Sequence, residues 1–190
     1  MNWPNVLTFS RIGFAIVLVF LLLANSLIAY IFAAFIFFIA SLTDFYDGYL
    51  AKKLGQISDF GKIMDPIADK VLMLSVFFVL AYIGIITWWM VLLIAFREIL
   101  VTVDRLWSMY QGKVLAAEKA GKIKTFFQMI TVSLILIYLI LKQAGSDIGW
   151  FHGVQDLYLN GIQVLMFITV FLTIGSAASY FQSKIKGFSL

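Results

Sequence analysis

An acidic segment between residues 44 and 70 carries the side chains best suited to chemistry in this chain. It holds five of the ten acidic residues, and four of them form two pairs, Asp44 with Asp47 and Asp65 with Asp69. Spacings of three and four residues place both carboxylates of a pair on one helical face, about 5–6 Å apart at Cβ. Carboxylates this close repel one another unless cations neutralise them. The pattern predicts a cage for two divalent cations at which a phosphoryl group is transferred.

Small residues on the same helical faces favour this interpretation. At about 100° per residue, Gly48 and Ala51 share one arc with the first acidic pair, and Gly61 shares another with the second pair. Such faces leave room for a bulky ligand beside the cations. The chain has no Cys, and oxygen ligands alone favour Mg²⁺ or Mn²⁺ over zinc. Two such ions, about 3.5–4 Å apart, suit in-line displacement at phosphorus.

The acidic segment also allows two interpretations without a metal site. In these, the carboxylates are either solvated helix ends or partners in structural ion pairs with nearby lysines, which are Lys52, Lys53, Lys62 and Lys70. A cation transporter or channel, and a structural membrane protein, are the alternatives from different functional classes, since acidic residues within a membrane often mark ion paths. A transporter needs polar groups through the whole depth of the bilayer, whereas the outer half of each predicted helix is apolar.

The composition predicts an integral membrane protein. Hydrophobic residues make up 63% of the 190 residues, against about 45–50% in soluble domains. Apolar runs near the 20 residues that a bilayer requires predict an all-α fold with six transmembrane helices. We expect a single transmembrane domain over residues 1–190, with helices at about 6–24, 26–53, 60–83, 87–110, 121–141 and 156–182.

The positions of the basic residues predict the orientation of these helices. Thirteen of the fourteen Lys and Arg residues fall on the side that holds both termini, and Lys142 falls on the opposite side. Basic residues concentrate on the cytoplasmic side of membrane proteins. We therefore expect a multi-pass protein of the cytoplasmic membrane, with both termini and the acidic segment at the cytoplasmic face. The net charge of +4 reflects this topology, and no nucleic-acid partner is expected.

The acidic segment resembles the pattern of the CDP-alcohol phosphotransferase family, D-x2-D-G-x2-A-R-x8-G-x3-D-x3-D. Seven of the eight fixed positions agree in residue type and spacing, from Asp44 to Asp69. Lys52 stands where the family pattern has Arg. Lysine keeps the positive charge but loses the two-pronged contact that arginine makes with a phosphate.

The resemblance implies a homodimeric membrane enzyme with six transmembrane helices. In such an enzyme a hydroxyl group attacks the β-phosphorus of a CDP-linked alcohol and CMP is released. Carried over residue by residue, the resemblance assigns the role of metal ligand to Asp44, Asp47, Asp65 and Asp69. It assigns the role of base to Asp69. It assigns binding of the CDP-lipid to Asp44, Gly48, Lys52 and Gly61. The cofactors would be two Mg²⁺ or Mn²⁺ ions.

Basic residues elsewhere in the chain predict a pocket for a phosphate on the second substrate. These candidates are Arg11, Arg97, Arg105, Lys122 and Lys124. Pairing of Arg97 with Glu98 or Asp104 is the alternative for that residue, since an unpaired Arg is costly in a membrane. Ordinary anchoring at the cytoplasmic interface is the alternative for the two lysines.

The segments around these residues are similar to the corresponding parts of bacterial phosphatidylglycerophosphate synthases. The similarity covers the opening at residues 5–11, residues 97–105 and residues 121–125. It implies CDP-diacylglycerol as the lipid donor, glycerol 3-phosphate as the acceptor, and phosphatidylglycerol phosphate and CMP as products. Inositol phosphate is the alternative acceptor within the family, because it also bears a phosphate. A choline-like acceptor would need an aromatic cage rather than a cationic cluster.

Overall fold

The described residues form six α-helices. The computed structural model describes the backbone of residues 3–54, 59–111, 119–145 and 153–188, and the side chains of residues 10–43, 64, 67–111, 121–145 and 153–185. The helices are, in chain order, α1 (Trp3–Leu23), α2 (Leu27–Leu54), α3 (Asp59–Tyr82), α4 (Trp88–Tyr110), α5 (Lys119–Gly145) and α6 (Gln155–Phe188). No strand occurs in these ranges. The predicted all-α fold with six helices is confirmed.

Two uncharged connections reverse the chain within a few residues. Between α1 and α2, Asn25 adopts a positive φ of 48°, and its Oδ1 accepts a 2.8 Å hydrogen bond from the hydroxyl of Tyr30. Between α3 and α4, Gly84 adopts a φ of 78°, a conformation that glycine reaches without steric cost. These short turns hold successive helices side by side.

The six helices close into a ring. Helix α1 packs against α2 and α3, α2 against α5, α5 against α6, α6 against α4, and α4 against α3. Large apolar side chains fill the inside, among them Leu18 and Leu22 of α1, Phe77 and Leu80 of α3, and Tyr138 of α5, all less than 2% exposed. This close-packed filling makes one part of the ring a solid core.

The outside of the ring is apolar. Phe20, Phe35 and Phe171 are each at least 60% exposed. Soluble monomers rarely expose apolar surface on this scale, so the outer surface fits lipid rather than water. Among the described residues, two helical segments, Gly121–Gly145 and Gln155–Ile185, are long and apolar enough to cross a membrane.

The helix bounds differ from the predicted ones mainly in α5 and α6. Helix α5 begins two residues before Gly121 and continues to Gly145, and α6 continues to Phe188 instead of ending near Gln182. The prediction followed apolar runs alone. A helix continues through polar residues as long as its backbone hydrogen bonds form and no breaker intervenes. The polar ends of α5 and α6 were therefore missed.

Candidate active site

The acidic residues of the predicted cage all lie on helical backbone. Asp44 and Asp47 lie in the second half of α2, and Asp65 and Asp69 lie in the first half of α3. Asp69 is the one member of this set whose side chain the structure describes. The side chains of Asp44, Asp47, Lys52 and Asp65 lie outside the described residues, as do the surroundings of Gly48 and Gly61. No group of three potential metal ligands occurs among the described side chains, a set that excludes three of the four aspartates.

Asp69 forms an ion pair with Arg11. The Nη1 atom of Arg11 lies 2.8 Å from Oδ1 of Asp69, and the arginine side chain is 4% exposed whereas that of Asp69 is 38% exposed. A buried guanidinium that contacts a carboxylate restricts its orientation. The pair therefore joins α1 to α3 and holds the Asp69 carboxylate at the edge of an open space.

That open space is a cavity of about 1100 Å³ lined by all six helices. It lies towards one end of the ring. Its charged residues from α1, α3 and α5 lie in the first halves of those helices, and Ser41, Ser176 and Tyr180 lie in the second halves of α2 and α6. We call it the cationic cavity, after its charged lining residues, which are Arg11, Asp69, Lys70, Arg97, Glu98, Arg105, Lys122 and Lys124.

The charge of this lining favours an anionic ligand. Six described cations face two described anions, which leaves a surplus of four positive charges. Field lines concentrate in a cleft with low-dielectric walls, so a surplus of one sign attracts the opposite sign strongly. All five basic residues predicted for the second substrate line this cavity, although they come from three different helices.

Glu98 lies at the centre of the charged wall. Its side chain is 3% exposed, and Nζ of Lys70 lies 2.8 Å from its Oε2. The ammonium of Lys124 donates a hydrogen bond to its Oε1, and Nε2 of Gln128 lies 3.3 Å from the same oxygen. Glu98 thus joins α4 to α3 and α5 through charged contacts.

Arg97 contacts Glu98, which was one of the two alternatives for it. Its Nη1 lies 3.5 Å from Oε1 of Glu98, and its Nη2 donates a 2.9 Å hydrogen bond to Ser176 on α6. The second alternative, a pair with Asp104, is wrong. Asp104 instead accepts bonds from Lys184, at 2.6 and 2.7 Å, and from the hydroxyl of Tyr180 at 2.9 Å.

The remaining cations differ in their surroundings. Lys124 is 2% exposed and bound to Glu98, so anchoring at a membrane interface does not explain it. Lys122 is exposed at the rim of the cavity, a position that fits both contact with a ligand and anchoring at the membrane interface. Arg105 is half-buried, and its Nε has no hydrogen-bond partner among the described residues.

The rest of the cavity wall is apolar. Phe37 of α2, Leu72 and Phe77 of α3, Ile94 of α4 and Ile130 of α5 contribute to it. A cavity that combines a cationic wall with an apolar one accommodates an amphipathic ligand, since each part of the ligand meets matching surface. A lipid with a phosphorylated head group has this character.

Sequence reasoning missed several residues of the charged wall. Lys70 was considered only as a structural partner for the aspartates, and Glu98 only as a partner for Arg97. Gln128 and Ser176 were not singled out. The adjacent charges at residues 69–70 and 97–98 in otherwise apolar helices were a usable signal, because charges in such segments need partners.

The ring of apolar helices and its cationic cavity define a helical membrane protein whose cavity has the charge and lining to suit an anionic, amphipathic ligand. The model of the CDP-alcohol phosphatidyltransferase family matches residues 1–175. The chain belongs to this family.

Two curated relatives match the chain along nearly its whole length, and a third matches about three quarters of it. A Bacillus subtilis protein named CDP-diacylglycerol--glycerol-3-phosphate 3-phosphatidyltransferase is 34% identical, with 96% of this chain and 95% of the relative covered. A Rickettsia bellii protein of the same name is 36% identical, with 98% and 97% covered. A Mycobacterium tuberculosis protein named as a probable phosphatidylglycerophosphate synthase is 39% identical, with 72% and 66% covered.

Proposed function

We propose that this chain transfers the phosphatidyl group of CDP-diacylglycerol to glycerol 3-phosphate. The observation that carries the proposal is the convergence of Arg11, Asp69, Arg97, Arg105 and Lys124 on one cavity. A hydroxyl oxygen of glycerol 3-phosphate bonds to the β-phosphorus, and the bond from that phosphorus to the oxygen shared with CMP breaks. CMP leaves with the bonding electrons, and the product is phosphatidylglycerol phosphate. The names of the relatives from B. subtilis and R. bellii support this choice of reaction.

Asp69 is the proposed base for the attacking hydroxyl. Its carboxylate is more exposed than that of Glu98 and borders the cavity. The guanidinium of Arg11 lies 2.8 Å from one of its oxygens and thereby orients the second oxygen. A base must come within hydrogen-bond reach of the proton that it takes, and a carboxylate held in this way is pre-positioned for that step.

The donor set of the acidic segment fits two hard divalent cations. Asp69 borders the cavity, and so does Leu42 of α2, which lies two residues before Asp44 in the chain. Oxygen ligands of this kind suit Mg²⁺ or Mn²⁺. Asp44, Asp47, Asp65 and Asp69 would hold the two ions, which supply neutralisation of the diphosphate charge. Gly48, Lys52 and Gly61 are the proposed contacts for the cytidine nucleotide, alongside Asp44.

The cationic wall is the proposed site for the phosphate of glycerol 3-phosphate. The Nε of Arg105 is a donor that no described residue uses, and Arg97, Lys70 and Lys124 lie around Glu98 in the same wall. Phosphate accepts several charged hydrogen bonds at once, and each is stronger than a neutral one. Binding at this wall would bring the acceptor hydroxyl towards Asp69, which lies next to Lys70 in the chain.

We further propose six membrane spans with both termini in the cytoplasm. The shortest described helix has 21 residues, about 31 Å at 1.5 Å per residue, which matches a hydrocarbon core of about 30 Å. The cationic cavity lies towards the ends where α1, α3 and α5 begin. Those ends lie on the side of the N-terminus, so the site would face the cytoplasm. Residues 1–190 are predicted to form a single transmembrane domain. Assembly of this domain into a homodimer is implied by the family resemblance and stays a prediction.

Inositol phosphate is the second candidate acceptor, since the same positive surplus attracts any phosphorylated alcohol. Transport of cations is disfavoured, because the large buried side chains described in the rest of the ring are apolar and leave no polar path across it. The test is CMP release by the purified protein from CDP-diacylglycerol in Mg²⁺ or Mn²⁺, with a panel of glycerol 3-phosphate, inositol phosphate and serine. Turnover with glycerol 3-phosphate supports the proposal, and turnover with inositol phosphate alone refutes the acceptor assignment.

A further inference from the structure

Glu98 is a buried acid that neither the predicted chemistry nor the family pattern uses. It lies near the middle of α4, and cations from α3 and α5 contact its two oxygens separately, Lys70 at Oε2 and Lys124 at Oε1. Arg97 lies 3.5 Å from Oε1. The carboxylate is thus surrounded by three of the six described cations of the cavity.

Three cations in one buried wall repel one another, and a single carboxylate between them offsets that repulsion. A lysine ammonium has three donors, and each contact with Glu98 needs only one of them. The two remaining donors stay available to a ligand in the cavity. A carboxylate in this place therefore sets the positions of the ammonium groups without using up their capacity to bind an anion.

We propose that Glu98 is a positioning residue for the phosphate of the acceptor, acting through Lys70 and Lys124. It does not touch the substrate itself. This inference rests on the proposed function and specifies how its acceptor site is built. Its consequence is selective: loss of the Glu98 charge weakens binding of the phosphorylated acceptor and leaves binding of the lipid donor nearly unchanged.

Asp104 provides a matched control on the same helix. It also joins α4 to a neighbouring helix through a lysine, since Nζ of Lys184 contacts both of its oxygens. Neither Asp104 nor Lys184 lines the cationic cavity as described. The variant Asp104→Asn therefore removes an interhelical ion pair of the same kind without changing the charges that face the ligand.

The experiment compares the wild-type protein with Glu98→Gln, Glu98→Asp and Asp104→Asn in the CMP-release assay. For Glu98→Gln we expect the KM for glycerol 3-phosphate to rise at least tenfold, and inhibition by inorganic phosphate to weaken by a similar factor. The KM for CDP-diacylglycerol and kcat should change less than threefold. Glu98→Asp keeps the charge on a shorter side chain, so we expect a smaller rise in the KM for glycerol 3-phosphate, of about threefold or more. Asp104→Asn should leave both KM values unchanged.

The outcomes separate this inference from the proposed function. If the wild-type protein is active and Glu98→Gln leaves the KM for glycerol 3-phosphate unchanged, the positioning role alone is overturned. Equal changes in the KM values for both substrates overturn it as well. If Glu98→Gln does not fold, Glu98→Asp decides, and a KM for glycerol 3-phosphate within twofold of the wild-type value overturns the role. A wild-type protein that releases no CMP with glycerol 3-phosphate overturns the proposed function, and this inference with it.

Discussion

Arg105 offers the sharpest test of the acceptor site. Its side chain lines the cationic cavity, and its Nε has no hydrogen-bond partner among the described residues. That donor is therefore available to a ligand, and its loss removes little from the folded protein itself. We expect Arg105→Ala to reduce binding of glycerol 3-phosphate with little effect on stability.

The magnitude follows from the contact that is lost. A hydrogen bond to a charged group contributes about 1.5–3 kcal/mol, and about 1.4 kcal/mol corresponds to a factor of ten in binding. The KM for glycerol 3-phosphate should then rise about 10- to 100-fold, whereas the KM for CDP-diacylglycerol should change by less than about threefold. Arg105→Lys keeps the charge but not the fork of donors, so its KM should fall between those of the wild-type protein and Arg105→Ala.

The assay is CMP release with each substrate varied in turn at a saturating level of its co-substrate. Thermal unfolding of the detergent-solubilised variants provides the control, and Arg105→Ala should unfold within a few degrees of the wild-type protein. Equal increases in both KM values would refute the assignment of Arg105 to the acceptor site. An unchanged KM for glycerol 3-phosphate would refute it as well.

The remaining predictions concern the base, the cations and the packing of α4. Asp69→Asn should abolish CMP release without unfolding the protein, because an amide cannot accept the hydroxyl proton; near-normal turnover would contradict the role of base. Asp65→Asn should do the same through loss of a metal ligand, and near-normal turnover would contradict that assignment. Removal of divalent cations with EDTA should abolish turnover, and Mg²⁺ or Mn²⁺ should restore it; activity that persists in EDTA would exclude the two-ion site. Asp104→Asn should lower the unfolding temperature by a few degrees, since a partly exposed ion pair contributes up to about 1 kcal/mol, and an unchanged temperature would show that the pair adds no stability.

Much of the acidic segment could be interpreted from the chain alone because its information is local. The spacing of Asp44, Asp47, Asp65 and Asp69 specifies which side chains share a helical face, whatever the rest of the fold does. The apolar runs likewise predict six helices, since only a helix satisfies its backbone within a single apolar segment. The uncharged turns near Asn25 and Gly84 are where the structure breaks the helices.

The helices and the acidic pattern both follow from the order of residues along the chain, because each depends on near neighbours. Which charges meet depends instead on how the helices pack. The order of the ring, with α2 against α5 and α4 between α3 and α6, brings Lys70, Glu98 and Lys124 together across gaps of 28 and 26 residues. Helical spacing along one segment carries no information about such contacts, since they form between faces of separate helices.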